Sequence, residues 1–293
     1  MADHQPPAAA PEDAAGALRG LPRTVWALGL VSLCMDVSSE MIHSLLPVFL
    51  VTVLGTSTLA VGMIEGLSEG AALVTRTFSG PLSDRLGRRK TLALAGYGLG
   101  ALTKPLFALA TGSGLVLTAR FLDRVGKGLR GAPRDALVAD VTPPASRGAA
   151  YGLRQSLDTV GAFLGPLLAA GLMAATGGRF RTVFWIAVIP GALVVAILAL
   201  GVREPRRASP AGPLTSLRWG ALKSLGAEFA KVMAVGLVFT AARFSEAFLL
   251  LRAQSVGLAA AAIPLLLVAM NLVYSLTAYP AGRLSDRFGR RGL

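Results

Sequence analysis

Gly80-Pro81-Leu82-Ser83-Asp84-Arg85-Leu86-Gly87-Arg88-Arg89 recurs 202 residues on as Gly282-Arg283-Leu284-Ser285-Asp286-Arg287-Phe288-Gly289-Arg290-Arg291, with eight of ten positions identical. Each copy follows directly on an apolar stretch. A repeat at this offset implies two homologous units in one chain. The motif has a physical logic of its own. Glycine permits a tight turn or a close helix approach, an aspartate at a helix end can accept hydrogen bonds from a neighbouring helix N-terminus, and the arginines suit phosphates and carboxylates. Asp84 and Asp286 are therefore read as paired conformational latches, with Gly80, Arg85, Gly87, Arg88 and Arg287 as their setting. A plain anchor of positive charge at the membrane surface is the simpler alternative.

Outward from the motif, a bilayer-crossing helix needs about 20 mostly apolar residues. Eight segments qualify: 24–54, 58–80, 91–110, 114–139, 152–175, 182–201, 232–254 and 258–281. The composition agrees, with 53% hydrophobic and 15% charged residues among 293 and a mean hydropathy of +0.60. Such values exclude a disordered chain, and one cysteine, Cys34, excludes a disulfide scaffold. The net charge of +13 would suggest nucleic acid on a soluble protein, but the basic residues concentrate in alternate connections. They follow the second, fourth, sixth and eighth segments, as in loops facing an anionic cytoplasmic leaflet. Arg179 and Arg181, after the fifth, are the exceptions. The expected protein is an all-α, multi-pass protein of the cell (inner) membrane with a cytoplasmic N-terminus, a lipid bilayer around it and no nucleic-acid partner. Its expected divisions are a disordered tail (1–22), a six-helix bundle (23–201), a cytoplasmic linker with an amphipathic helix (202–231) and the first two helices of a second bundle (232–293).

With these residues in view, the chain resembles the major facilitator superfamily, whose G-x-x-x-D-R-x-G-R-R signature follows the second helix and recurs after the eighth. Arg120-Phe-Leu-Asp-Arg-Val-Gly126-Lys-Gly128 is similar to the family's R-F-L-x-G-x-G-x-G, with Arg124 in place of the first glycine. Gly152, Gly161, Gly165 and Pro166 follow the spacing associated with proton-coupled antiporters, although Ala169 replaces the last glycine. Arg203-Glu204-Pro205 also occurs in this family. The resemblance implies a secondary transporter of a small solute working by alternating access, with proton-coupled antiport or efflux ahead of proton-coupled uptake. It implies no cofactor beyond the proton gradient, and a monomer at full length. Family members have twelve helices, so the resemblance implies a fragment lacking the last four; a truncated, non-transporting membrane protein is the rival.

Charges inside apolar segments are costly and must face protein or water. Asp36, Ser39, Glu40 and His43 fall at i, i+3, i+4 and i+7 and form one polar face, read as a cavity lining. Asp36 and Glu40 lie a turn apart, so one is expected to hold a proton, which His43 could relay. A structural ion pair is the alternative, and a metal site is not expected. Arg120, Asp123, Arg124, Lys127, Arg130 and Arg134 occupy about 120° of the fourth segment's circumference at about 100° per residue. They either neutralise Asp36, Glu40, Glu65 and Glu69 or hold an anionic substrate. Glu65, Glu69 and Arg76 share a face, and Asn271 corresponds to Glu69 at the repeat offset; these are read as contacts between bundles, with a coupling role as the alternative. Arg243 and Glu246 join the cavity on the resemblance. Gly161, Gly165 and Pro166 join the conformational group. Without a nucleophile constellation, enzymatic activity is not expected.

Overall fold

The computed structural model describes residues 20–204, 226–242 and 245–288, without the side chains at 227–228, 239, 241–242 and 278–288. The described helices are α1 (Arg23–His43), α2 (Leu46–Thr52), α3 (Thr58–Leu86), α4 (Arg89–Leu109), α5 (Ser113–Val141), α6 (Arg147–Ala175), α7 (Phe180–Gly201), α8 (Gly226–Ala242), α9 (Glu246–Ser255) and α10 (Pro264–Phe288). The tail to residue 19 and most of the expected linker, 205–225, lie outside the described residues.

Local chemistry explains the departures from the expected segments. The first is two helices rather than one, because Pro47 has no N–H to continue the ladder and the chain turns at Ser44 and Leu45. The seventh is likewise divided, with Ser245 Oγ accepting the Ala247 N–H at 3.3 Å to cap α9. The eighth starts at Pro264 rather than 258, a residue suited to a first helical turn. α8 begins at Gly226, inside the stretch expected to be linker. α3 runs on to Leu86 and stops because Gly87, at φ 61°, takes the left-handed conformation and returns its N–H to Ser83 O.

α5 packs between α3 and α4, α4 against α7, α7 against α1, and α1 against α6, which also receives α10. Apolar cores lie at both ends of this first bundle. Met41, Phe49, Phe107 and Phe184 belong to one, and Val25, Leu28, Tyr97 and Leu198 to the other. Charged side chains occupy the level between them. The pattern is inverted relative to a water-soluble protein: Lys104 is fully buried, whereas Leu200 is 86% and Leu59 75% exposed. Among the described residues, Arg23–Thr52, Arg89–Leu109, Pro144–Ala175 and Phe180–Gly201 are long and apolar enough to cross a bilayer. α3 and α5 have the length, at 29 residues each, but carry the inward-facing charges. Arg181, an exception to the charge rule, donates to the carbonyl of Ala110 at 2.8 Å. It satisfies an orphan acceptor at the C-terminal end of α4.

Glycines set how closely α5 approaches its neighbours. A Cβ on Gly126 would stand 2.6 Å from the Gly96 carbonyl oxygen, and one on Gly128 would stand 2.6 Å from that of Ala72. At Gly80 the nearest atom would be 3.7 Å away, an ordinary contact, so close approach does not demand that motif glycine. Gly126→Ala is therefore expected to cost about 1–3 kcal/mol by forcing the helices apart, and Gly80→Ala close to nothing. Thermal melting of the purified protein in detergent checks the contrast.

Candidate functional site

The polar face of α1 divides between two environments. Glu40 and His43 line a cavity of about 750 Å³ with Glu65, Glu69, Arg120, Arg124, Lys127 and Glu246. Asp36, one turn away, does not line it; its carboxyl lies against that of Asp158 on α6. Asp158 in turn pairs with Arg154 at 3.7 Å. Two glycines of α6 bring these surfaces together. A Cβ on Gly161 would reach within 3.0 Å of Asp36 Cβ, and one on Gly165 within 2.6 Å of Glu40 Cβ. Gly161, Gly165 and the buried Pro166 thus form the seat on which α1 presents its acids.

Behind the cavity is a buried charge cluster centred on Asp123. Its Oδ1 accepts from Lys104 Nζ at 2.8 Å, and its Oδ2 lies 3.5 Å from His43 Nε2. Lys104 also donates to Ser39 Oγ at 3.0 Å. His43 Nδ1 is 3.8 Å from Glu40 Oε1, so the imidazole separates the cavity acid from the buried aspartate. Towards the cavity, Arg120 Nη2 meets Glu65 Oε2 at 2.6 Å, and Arg124 Nε meets Glu69 Oε1 at 2.9 Å. The partners of these two arginines are therefore the α3 glutamates, with Asp36 and Glu40 engaged elsewhere. Arg130 stacks over Tyr97, 4.8 Å from the ring centroid. Arg134 reaches Asp135 at 3.0 Å and Ser32 Oγ at 3.3 Å.

Part of the cavity wall is apolar. Leu250 and Leu267, both in its wall, cluster with Val48 and Ile263, and the Phe248 ring covers Gly62. Asn271 Nδ2 donates to Ala162 O at 3.1 Å, joining α10 to α6. Glu65 and Glu69, read as contacts between bundles, are ion-paired to α5 within the first bundle and line the cavity that faces α8, α9 and α10. Arg76 is exposed and does not line the cavity. Arg243 lies outside the described residues, as do the side chains of Asp286 and Arg287.

At the Gly87 turn the organising side chain is Arg89. It is buried and bonds Asp84 Oδ1 at 3.0 Å, Asp140 Oδ2 at 2.6 Å and the Ala136 carbonyl at 2.9 Å. Asp84 therefore meets a guanidinium rather than the expected helix N-terminus. The first N–H of α4, that of Arg89, goes to the Glu204 carboxylate, a favourable place for negative charge. The left-handed turn at Gly87 folds Arg89 back beside Asp84, which explains the exchange of roles. Arg85 and Arg88 point outward. Arg89 and Glu204 stood in the motifs without a signal of their own weight, and nothing in the sequence marked Asp140.

A membrane-embedded helical bundle with a charged internal cavity between two repeat units is the architecture of a solute carrier. The sequence model of the Major Facilitator Superfamily matches residues 28–293, and the chain belongs to that superfamily of membrane transporters. An uncharacterized MFS-type transporter of Methanocaldococcus jannaschii is 32% identical over 281 residues, covering 94% of this chain and 69% of that protein. Multidrug resistance protein MdtH of Photorhabdus laumondii is 33% identical over 132 residues, covering 45% of this chain and 33% of that protein. Among solved structures, an inward-facing bacterial homolog of the human lysosomal transporter Spinster superposes with a TM-score of 0.64 at 20% identity. That match covers 92% of this chain and 63% of the solved one. The chain thus spans about two thirds of the length of these full-span relatives.

Proposed function

We propose that the protein is a secondary active transporter that moves a small solute by alternating access, coupled to protons and running as antiport or efflux. The observation that carries this reading is the cavity between α1, α3 and α5 on one side and α8, α9 and α10 on the other, lined by acids and bases with Leu250 and Leu267 in its wall. A cavity formed between two units suits the rocking of repeats around a central site. Glu40, with His43 at its side and Asp123 beyond, is the proposed proton route. The local similarity to MdtH, by name a multidrug resistance protein, supports the outward direction. In this proposal the protein is a monomer at full length, sits in the cell inner membrane with its N-terminus in the cytoplasm, and needs no cofactor beyond the proton gradient.

The test is a pH-sensitive dye inside proteoliposomes of the purified protein, challenged with a panel of anionic, cationic and zwitterionic solutes. A transported solute moves the dye signal in wild type. Glu40→Gln is expected to abolish that movement while the protein inserts at normal levels. An undiminished signal removes Glu40 from the proton route, and solute flux without any dye response removes proton coupling.

A further inference from the structure

The cavity contains a surplus of hydrogen-bond donors. Arg120, Arg124 and Lys127 stand at i, i+4 and i+7 on α5, so their side chains follow one another along one wall. Arg120 is only 4% exposed, and a guanidinium offers five N–H donors. Glu65 accepts from its Nη2, while the buried Nε and Nη1 have no acceptor among the described residues. Lys127 is exposed to the cavity and forms no ion pair among the described residues. The four acids of the lining, on α1, α3 and α9, each have a partner. Glu65 holds Arg120, Glu69 holds Arg124, Glu40 lies beside His43, and Glu246 is itself partnered. At Glu65 and Glu69 a cationic solute would have to displace an arginine. A carboxylate, phosphate or sulfonate meets Lys127 directly and reaches the covered Arg120 nitrogens once Glu65 moves aside, because an anionic oxygen accepts several charge-assisted bonds at once.

We infer that the transported solute carries an oxyanion, bound by Arg120, Arg124 and Lys127, with Glu65 and Glu69 occupying the place of that oxyanion while the site is empty. The inference rests on the transporter reading and adds to it the charge of the substrate. Glu69 is its most direct probe, since its side chain is half-exposed and competes with the solute for Arg124.

The experiment is a binding series on the full purified protein in detergent, read as ligand-dependent thermal stabilisation. The probes are glycerol 3-phosphate, succinate, methanesulfonate, putrescine and betaine. At least one anion is expected to raise the melting temperature in a saturable way, and putrescine is not. Lys127→Gln is expected to weaken that anion about tenfold or more, through loss of a charge-assisted contact. Glu69→Gln is expected to strengthen it, the opposite sign from that required of a cation site. The proposal is overturned if no anion binds, if putrescine binds instead, if Lys127→Gln leaves anion binding unchanged, or if Glu69→Gln weakens it. These failures differ from a failure of transport. In the proteoliposome assay, flux of a cation or zwitterion would keep the protein a transporter while removing the oxyanion.

Discussion

Asp123→Ala is expected to destabilise the first bundle by about 3–5 kcal/mol, the cost of leaving one member of a buried ion pair without its partner. The member left behind is Lys104, fully buried, whose ammonium would retain only Ser39 Oγ as an acceptor among the contacts described above. The substitution acts on α1, α4 and α5 together, because His43 also faces Asp123. Fluorescence-detected gel filtration after heating would report it as a large drop in the surviving folded peak. Lys104→Met combined with Asp123→Leu is expected to recover most of the loss, since a buried pair replaced by apolar side chains of similar volume is often neutral. Wild-type melting of Asp123→Ala would mean that the pair does not form in the folded protein. Failure of the double variant to recover would mean that Asp123 is needed for more than neutralising Lys104.

Arg89→Met is expected to release the end of α5 from the turn between α3 and α4. Three acceptors lose their donor, two of them carboxylates. Charge-assisted bonds of this kind contribute about 1.5–3 kcal/mol each and do not add simply. Hydrogen–deuterium exchange should show lost amide protection near Ala136 to Val141 while α1 and α6 stay protected. The backbone bond from Arg89 N–H to Glu204 survives the change, so the start of α4 should be affected less than the end of α5. Asp84→Asn removes one of the two carboxylate partners and should produce a smaller effect in the same place. Equal protection in wild type and Arg89→Met would show that the hub does not hold these helix ends together. As Asp84 belongs to the repeated motif, the same variants bear on the proposed alternating access.

Much of the site was legible in the sequence because it consists of charges where charges are expensive. Glu40, His43, Glu65, Glu69, Arg120 and Arg124 stand out inside apolar segments, and helical spacing alone puts each group on an inward face. Their partners were not legible. Whether Arg120 meets Glu65 or Asp36 depends on how α5 lies against α3 and α1, a relation that residue order along any one helix does not specify. The partner of Lys104, Asp123, is 19 residues away in sequence and on a neighbouring helix. Asp140 carried no signal, because an aspartate near a helix end is common and only its contact with Arg89 distinguishes it.

The sequence by itself determined that this is a two-unit, all-helical membrane protein with charged interior faces, since repeat identity, apolar segment length and helical period are properties of residue order. It also carried the family, through motifs that recur at corresponding places in both units. The tertiary structure alone decided that Asp36 leaves the cavity for Asp158, that the first segment turns at Ser44 and Leu45, and that Arg89 rather than Asp84 is the centre of the motif. It also decided that α5 presents more donors than its neighbours can accept. Those outcomes depend on distances between helices far apart in the chain, which the close approach of particular glycines sets and no local pattern of residues encodes.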